Sequence, residues 1–250
     1  MLDEKIIIVI PAYNEERTIG KVLDDAKKIT DKIIVVDDAS SDRTGEIASF
    51  KGAKVYRHLI NLGLGGALRT GFAAVLKAKP RGELGSTTGD EVRPKVGLRP
   101  WVGETEIVVT MDADGQHETG DIWQMIEAVR KGGTEVVIGS RLKKQKKGIP
   151  LSRLLFNYLA NLVTFFFYGL MVSDSQSGLR AFRRESLEKI KLKSLHMEVS
   201  SEIIGEIKRN NLIFKEVPIK AIYTDYSLSK GQNFWLGVKT FFRTLIDRLT

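Results

Sequence analysis

The feature that most constrains the fold is an alternation, in the first half of the chain, of short apolar runs with helical patterns. Runs rich in β-branched residues predict strands at Lys5–Ile10, Lys32–Asp37, Ala53–Arg57, Glu106–Met111 and Glu135–Gly139. The segments between them predict helices at Glu15–Ile29, Asp42–Phe50, Leu64–Lys77 and Asp121–Lys131. Such alternation is typical of βαβ units, so we expect an α/β fold with a mostly parallel sheet flanked by helices.

Polar residues follow the predicted strands, at the edge where sheets of this kind bind ligands. Asp112, Asp114 and Gln116 come directly after one strand, where alternate positions can turn oxygen atoms toward one point. The chain has no cysteine, which excludes thiolate metal sites. Two carboxylates and an amide suit Mg²⁺ or Mn²⁺ bridging phosphates. A turn that uses aspartates for local hydrogen bonds is the alternative. We expect His117 to make a polar contact and leave it off the ligand set.

A second carboxylate pair, Asp37 and Asp38, ends another predicted strand. These groups could accept hydrogen bonds from a base or a ribose, or they could form an acidic cluster at a helix N-terminus. The glycine-rich segment NLGLGGALRTGF follows the third strand and lacks the Gly-x-Gly-x-x-Gly spacing. It predicts close backbone packing near a ligand and not NAD binding.

The charge distribution points toward a membrane surface. The net charge is +8, and Arg141–Arg153 contains six basic residues and no acid. Leu154–Val172 follows without a charge, with Asn157, Asn161 and Thr164 recurring on one helical side. This pattern favours an amphipathic helix in the membrane interface over a membrane span, with a buried core helix as the alternative.

The domain organisation follows from these patterns. We predict a catalytic domain at 1–230, with an irregular insertion at 79–104 and an interfacial helix at 150–172. The segment 231–250 predicts an amphipathic membrane-docking helix. The N-terminus has acids before a short apolar run, which is unlike a signal peptide. We therefore expect a peripheral protein on the cytoplasmic face of the membrane.

The order of the motifs adds a resemblance. IPAYNEERTIG, VVDDASSDRT, GLGGALRTGF, VTMDADGQHE, IGSR, SRLLFNYLANL, DSQSGLRAF and EVPI occur in this sequence. In this order they resemble family 2 glycosyltransferases of the GT-A fold, and within them the dolichol- and polyprenol-phosphate sugar synthases. The resemblance implies transfer of a hexose from GDP-mannose or UDP-glucose to a dolichyl or polyprenyl phosphate, with inversion and with Mg²⁺ or Mn²⁺.

The resemblance also implies roles for individual residues. Asp112, Asp114 and Gln116 match its metal and diphosphate site, and Arg141 matches a basic residue near the phosphates. Arg153 matches an arginine that holds the acceptor phosphate. Asn157 matches a residue of the acceptor site. Lys230 matches a cationic position, but the arginine that usually precedes it in the family is missing from this sequence. The nucleoside pocket of the family matches Pro11, Tyr13, Glu15, Asp37 and Asp38. Asp114, Arg141 and Arg153 are thereby the expected catalytic residues.

Three alternatives stay open. A lipid phosphate is already substantially ionised, since its second pKa is about 6, and needs no strong base. Relatives that glycosylate a hydroxyl present a carboxylate where this chain has Asp174, so a soluble or growing glycan is an alternative acceptor. A nucleotidyltransferase also uses metal-binding carboxylates. A nucleic-acid-binding protein is disfavoured, because carboxylates at the strand ends would repel a phosphate backbone. Glu202, on a predicted helix, is expected on a solvated face.

Overall fold

A computed structural model describes residues 5–76, 106–144, 151–220 and 222 of the chain. The predicted insertion at 79–104, Lys230 and the predicted helix at 231–250 lie outside the described residues.

The described residues form one seven-stranded sheet in the order β3-β2-β1-β4-β6-β5-β7. All neighbouring strands are parallel except β6, which runs antiparallel to β4 and β5. The strands are β1 Ile6–Ala12, β2 Ile33–Asp37, β3 Lys54–Arg57, β4 Ile107–Thr110, β5 Val136–Ser140, β6 Arg180–Arg183 and β7 Phe214–Pro218. The five predicted strands and the mostly parallel sheet are confirmed, whereas β6 and β7 were not predicted.

Eight helices connect the strands within the described residues. They are α1 Ile19–Ala26, α2 Thr44–Phe50, α3 Gly63–Leu76, α4 Thr119–Arg130, α5 Arg141–Lys144, α6 Leu151–Tyr168, α7 Arg184–Lys189 and α8 Val199–Arg209. The four predicted helices of the first half are present. The first begins later than predicted, because the residues from Glu15 to Thr18 form a turn in which the Glu15 carbonyl accepts from the N–H groups of Thr18 and Ile19.

The core lies on both faces of the sheet, because alternate side chains of a strand point to opposite sides. Ile6, Ile8 and Ile10 of β1 pack with α1 and α4 on one face. Ile7 and Val9 pack with α3, α7 and α8 on the other. Because helices cover both faces of the sheet, every residue of β2 is buried. A ligand site is therefore expected in the loops at the carboxyl edge of the parallel strands.

Helix α6 is attached to the domain by its polar side. Asn161 donates to the Ser173 carbonyl at 2.7 Å and accepts from the Ser175 N–H at 2.8 Å. Thr164 lies 2.7 Å from the hydroxyl oxygen of Ser201 in α8. The opposite side of α6 is apolar and exposed, with Leu151, Leu155, Tyr158, Leu159, Leu162, Phe165 and Phe166.

Among the described residues α6 does not have the arrangement of a buried core helix, which turns its apolar side inward. No helix within the described residues is long and apolar enough to cross a membrane.

Candidate active site

The predicted site residues converge because their strands end at one edge of the sheet. Ala12 of β1 pairs with Asp37 of β2, and the Asp38 N–H donates to the Ala12 carbonyl at 2.9 Å. On the other side of β1, the Met111 N–H donates to the Val9 carbonyl at 3.2 Å. The loops after β1, β2 and β4 are therefore neighbours, and the negative charge of Glu15 acts on Asp114.

Asp37 and Asp38, at the end of β2, accept hydrogen bonds from other groups of the protein. Asp38 accepts from the N–H groups of Leu62 and Gly63 at 2.8 and 2.7 Å, and its Oδ1 lies 2.6 Å from Nδ1 of His58. These contacts tie the Asp38 loop to the start of α3. Asp37 is buried and accepts from a backbone N–H through one oxygen, while its Oδ2 has no hydrogen-bond partner in the described part of the chain.

The other predicted nucleoside residues lie beside this pair. Pro11 pairs with Val36, Tyr13 is about half exposed, and Glu15 is buried at the end of the same loop. The Glu15 N–H donates to Thr44 at 2.7 Å, which joins the loop after β1 to α2. The structure brings the five residues to one place, and their contact with a nucleoside stays a prediction.

The carboxylates after β4 form the centre of the site. Gln116 donates to Asp114 through its backbone N–H at 3.1 Å and its side-chain amide at 2.7 Å. Nε2 of His117 lies 3.3 Å from Oδ2 of Asp112, so His117 makes a polar contact. Where the chain is described, no three His, Cys, Asp or Glu side chains are grouped so that they could hold a metal ion by themselves, and this includes Asp112, Asp114 and His117.

The surroundings shift the pKa values of Asp112 and Asp114 in opposite directions. Desolvation by the surrounding protein would raise the pKa of Asp112, but the hydrogen bond and charge of His117 and the charges of Arg141 and Arg180 outweigh it and hold this pKa below its ordinary value. Burial, together with the charge of Asp112, raises the pKa of Asp114 to about 6. Two carboxylates that repel each other in a partly buried site are the environment that a divalent cation stabilises.

The residues present therefore fit Mg²⁺ or Mn²⁺. Asp112, Asp114 and the Gln116 amide supply oxygen donors of the type these ions prefer, and His117 stands beside them. When bound, the ion would neutralise the charge of a diphosphate leaving group. The assignment of the three ligands stays a prediction.

Metal binding should depend on pH through Asp114. Because its pKa is raised to about 6, Asp114 is protonated below that pH in the metal-free protein, and the ion must displace the proton. We expect the Mn²⁺ affinity to be flat above about pH 7 and to fall toward tenfold per pH unit below about pH 6. Calorimetric titrations of the wild type and of Asp114→Asn would measure this. Asp114→Asn should bind Mn²⁺ more weakly than the wild type, and its affinity should no longer fall with the protonation of residue 114. A wild-type Mn²⁺ affinity that stays constant down to about pH 5 would contradict the expectation.

Gly178 positions the Asp112 carboxylate. A Cβ atom built on Gly178 would lie 2.1 Å from Oδ1 and 2.4 Å from Oδ2 of Asp112. The Gly178 carbonyl also accepts from Thr110 at 2.8 Å, which fixes the segment before β6 against β4. Only glycine leaves room for the carboxylate in its present position.

Arg180 is a site residue that the sequence analysis missed. Its fully buried guanidinium donates through Nη2 to the carbonyls of Ser175 and Ser200, at 2.8 and 3.1 Å. Burial lowers the pKa of Arg180 to about 10 against the opposing charges of Asp112 and Asp174. An arginine inside the apolar segment LRAF was the available signal, since a buried cation requires nearby anions.

Arg141 and Asp174 form a buried ion pair. Nε of Arg141 donates to Oδ2 and Nη2 donates to Oδ1, both at 2.7 Å, and the Arg141 N–H donates to Oδ2 at 3.0 Å. The Asp174 side chain is completely buried. Both carboxylate oxygens are therefore occupied by one arginine.

The predicted acceptor residues are only partly described. The backbone of Arg153 lies in the first turn of α6, and its side chain is outside the described residues. Asn157 lies one turn further and is buried. The acceptor role of Arg153 and Asn157, like the cationic role of Lys230, stays a prediction.

The glycine-rich turn packs closely against the segment before α8, as its composition predicted. The Leu195 carbonyl accepts from the N–H groups of Gly65 and Gly66, at 2.6 and 3.1 Å. The expectation for Glu202 was wrong. Glu202 is buried, and its carboxylate accepts from the N–H groups of Lys193 and Ser194, each at 2.9 Å, because it anchors that segment.

Comparisons with known proteins agree with this geometry. The family model described as glycosyl transferase family 2 matches residues 7–77 and 96–191. The UDP-N-acetylglucosamine–dolichyl-phosphate N-acetylglucosaminyltransferase of Methanococcus voltae is 36% identical, over 100% of this chain and 98% of that protein. The undecaprenyl-phosphate mannosyltransferase of Micrococcus luteus is 32% identical, over 90% of this chain and 87% of that protein.

A solved structure with a similar fold is glucosyl-3-phosphoglycerate synthase from Mycobacterium tuberculosis, in complex with Mn²⁺, UDP-glucose and phosphoglyceric acid. It aligns with a TM-score of 0.61 at 21% identity, over 92% of this chain and 75% of that chain. A likeness at this level of identity shows a shared fold.

Proposed function

Since the chain belongs to glycosyltransferase family 2 and has the predicted GT-A fold, we propose that it transfers a sugar from a nucleotide diphosphate-sugar to a polyprenyl or dolichyl phosphate. Membership in the family sets aside the nucleotidyltransferase and nucleic-acid-binding alternatives.

The observation that carries the acceptor class is the ion pair of Asp174. A hydroxyl acceptor needs a carboxylate that can take its proton, and such a base must reach the acceptor oxygen. Asp174 is completely buried, and Arg141 occupies both of its oxygens. A phosphate monoester brings its own negative oxygen and requires no such base. The two relatives named for lipid phosphates support the same acceptor class.

The remaining residues have roles in alignment and charge. Gly178 leaves room for the Asp112 carboxylate, the charge of Arg180 favours its ionised form, and Gln116 donates to Asp114. Asp174 fixes the Arg141 guanidinium beside this cluster. Fixed groups of this kind stabilise charge that develops in the transition state without having to reorganise during the reaction. Direct attack of the acceptor phosphate on the anomeric carbon would invert its configuration.

The proposed donor is UDP-N-acetylglucosamine, ahead of two other nucleotide sugars. GDP-mannose and UDP-glucose were the donors implied by the sequence resemblance. The relative that matches 100% of this chain at 36% identity is named for UDP-N-acetylglucosamine, which puts this donor first. Incubating the protein and Mn²⁺ with each of the three labelled donors and a polyprenyl phosphate tests both halves of the proposal. Transfer to a soluble sugar and to none of the lipid phosphates would make the glycan alternative correct.

We place the acceptor phosphate at Arg153, which stands where the basic run meets the apolar helix. Arg153→Ala should lower kcat/KM for the lipid phosphate by about 100-fold, because a charge-assisted contact is worth about 2 to 3 kcal/mol. Donor affinity measured by calorimetry should change less than about twofold.

The matched control is Arg184→Ala, an arginine whose N–H pairs with Glu106 at the opposite edge of the sheet. It should leave both quantities unchanged. An Arg153→Ala variant that loses donor affinity as strongly as acceptor turnover would refute the assignment.

We further propose peripheral attachment to the cytoplasmic face of the membrane through α6. Its inner side is held by polar contacts of Asn161 and Thr164, and its exposed side is apolar. Within the basic run Arg141–Lys147 that precedes it, Arg141 is paired with Asp174, and the lysines would contribute about 1 kcal/mol each at an anionic surface. An interfacial helix with this arrangement would hold the site at the level of the lipid phosphates.

A further inference from the structure

Two loops beside the site carry exposed apolar side chains. Leu59 and Ile60 follow β3 and are 86% and 58% exposed. Leu195 and Met197 precede α8, and Met197 is 55% exposed. The loop after β3 lies at the carboxyl edge of the sheet, because Asp38 binds the N–H groups that follow Ile60. The segment before α8 lies at the same edge, because Ser200 accepts from Arg180 at the start of β6.

The two loops contact each other and are anchored from the domain side. Leu195 accepts from the first turn of α3, and a Cβ atom on Gly63 would lie 2.3 Å from Nδ1 of His196. Asp38 fixes one loop and Glu202 fixes the other through backbone hydrogen bonds. The backbone that carries the exposed apolar side chains is therefore fixed by hydrogen bonds to the domain, and these side chains are exposed in a defined conformation.

The exposed charged residues of the two segments are cationic, although Arg57 lies 3.5 Å from Oδ2 of the buried Asp37 and the partly buried Glu198 directly follows Met197. The segments RHLIN at 57–61 and KLKSLHM at 191–197 contain no acid, and their charged residues Arg57, Lys191 and Lys193 are exposed. At the opposite edge, the exposed Phe50 instead adjoins the Lys51–Asp24 pair, whose acid is about half exposed. Apolar side chains with exposed cations beside them and no acid within either segment suit an anionic lipid surface.

We propose that these two segments, which we call the loop rim, form a second membrane-docking surface that inserts into the headgroup region of an anionic bilayer. Helix α8, which follows the rim directly, contacts the inner side of α6 through Ser201 and Thr164, so the rim and α6 are joined by one helix. The inference rests on the proposed lipid-phosphate acceptor. With α6 it provides two separate points of attachment, which orient the site toward the bilayer instead of merely tethering the protein to it.

Flotation with vesicles of phosphatidylcholine and phosphatidylserine, free of polyprenyl phosphate, tests the rim alone. The double variant Leu59→Ser/Ile60→Ser should partition into vesicles about tenfold less than the wild type, and Met197→Ser about threefold less. The matched control Phe50→Ser/Ile213→Ser removes two exposed apolar side chains at the opposite edge and should partition like the wild type.

Two further measurements separate the rim from the acceptor proposal. The rim variants should bind the donor with Mn²⁺ like the wild type and should glycosylate a short, water-soluble prenyl phosphate at the wild-type rate. They should be slower only with a long-chain acceptor in vesicles. Equal flotation of wild type and double variant overturns the rim, whatever the acceptor is. If no polyprenyl phosphate is glycosylated but flotation still distinguishes the rim from the control variants, the acceptor proposal fails and the rim stands.

Discussion

Asp114→Ala should lower kcat/KM for sugar transfer by about 1000-fold while the protein stays folded. Asp114 is partly buried beside Asp112, and each carboxylate increases the cost of ionising the other, so the pair suits a divalent cation. A bound ion that stabilises a leaving diphosphate contributes several kcal/mol to the barrier, and each 1.36 kcal/mol is a factor of ten. The variant removes a carboxylate that accepts two hydrogen bonds from Gln116 but whose ionisation is disfavoured by desolvation and by Asp112, so its Tm without metal should stay close to that of the wild type.

Nucleoside diphosphate release measures the turnover, and calorimetry with Mn²⁺ measures the ion. Asp31→Ala is the matched control, since Asp31 is exposed before β2 at the opposite edge of the sheet. Full activity of Asp114→Ala in the presence of a chelator would remove the metal from the mechanism. An inactive variant that binds Mn²⁺ like the wild type would move the ion to other residues.

Gly178→Ala should reduce turnover by at least about 100-fold, although it adds a single methyl group. Its backbone is outside the left-handed region, so an alanine is not excluded by strain. The added Cβ would instead overlap both oxygens of Asp112, at 2.1 and 2.4 Å, and force the carboxylate to move. A displacement of about 1 Å in a catalytic group is enough for a loss of this size.

The chain offers a control with the same chemical change. A Cβ atom on Gly120 in α4 would meet nothing within 4 Å, so Gly120→Ala should retain activity and stability. Weakened Mn²⁺ binding by Gly178→Ala, with donor binding in the absence of metal unchanged, would locate the defect at Asp112. Wild-type turnover by Gly178→Ala would show that the position of this carboxylate is unimportant.

The sequence predicted the first half of the fold well because the evidence there is local. Strands β1, β2, β4 and β5 contain continuous apolar runs, and the ligand edge follows from strand direction. Strand β3, KVYR, was located by its place in the βαβ alternation, whereas β6, RAFR, is equally short and lies outside that alternation, so it was missed. Arg180 can be buried there because Asp112 and Asp174 are nearby, and that proximity exists only in the folded chain.

Long-range contacts also decided the residues whose roles were missed or reversed. Glu202 sits on a helix at a position typical of a solvated acid, and its buried role depends on two backbone groups of a preceding loop. The polar side of α6 was predicted correctly from the recurrence of Asn157, Asn161 and Thr164. That this side turns inward depends on Ser173, Ser175 and Ser201, whose positions no local pattern reveals.

The insertion of β6 between β4 and β5 has a consequence for folding order. Strands β4 and β5 do not pair with each other. The two parts of the sheet are therefore joined only when β6, Arg180–Arg183, pairs with both of them. During synthesis from the N-terminus, Asp112 emerges long before Gly178, which leaves room for its carboxylate, and before Arg180, whose charge lowers its pKa. The nascent chain can complete its first βαβ units early, but it becomes competent for chemistry only when this late, nonlocal strand closes the sheet, a step that is slow relative to local folding.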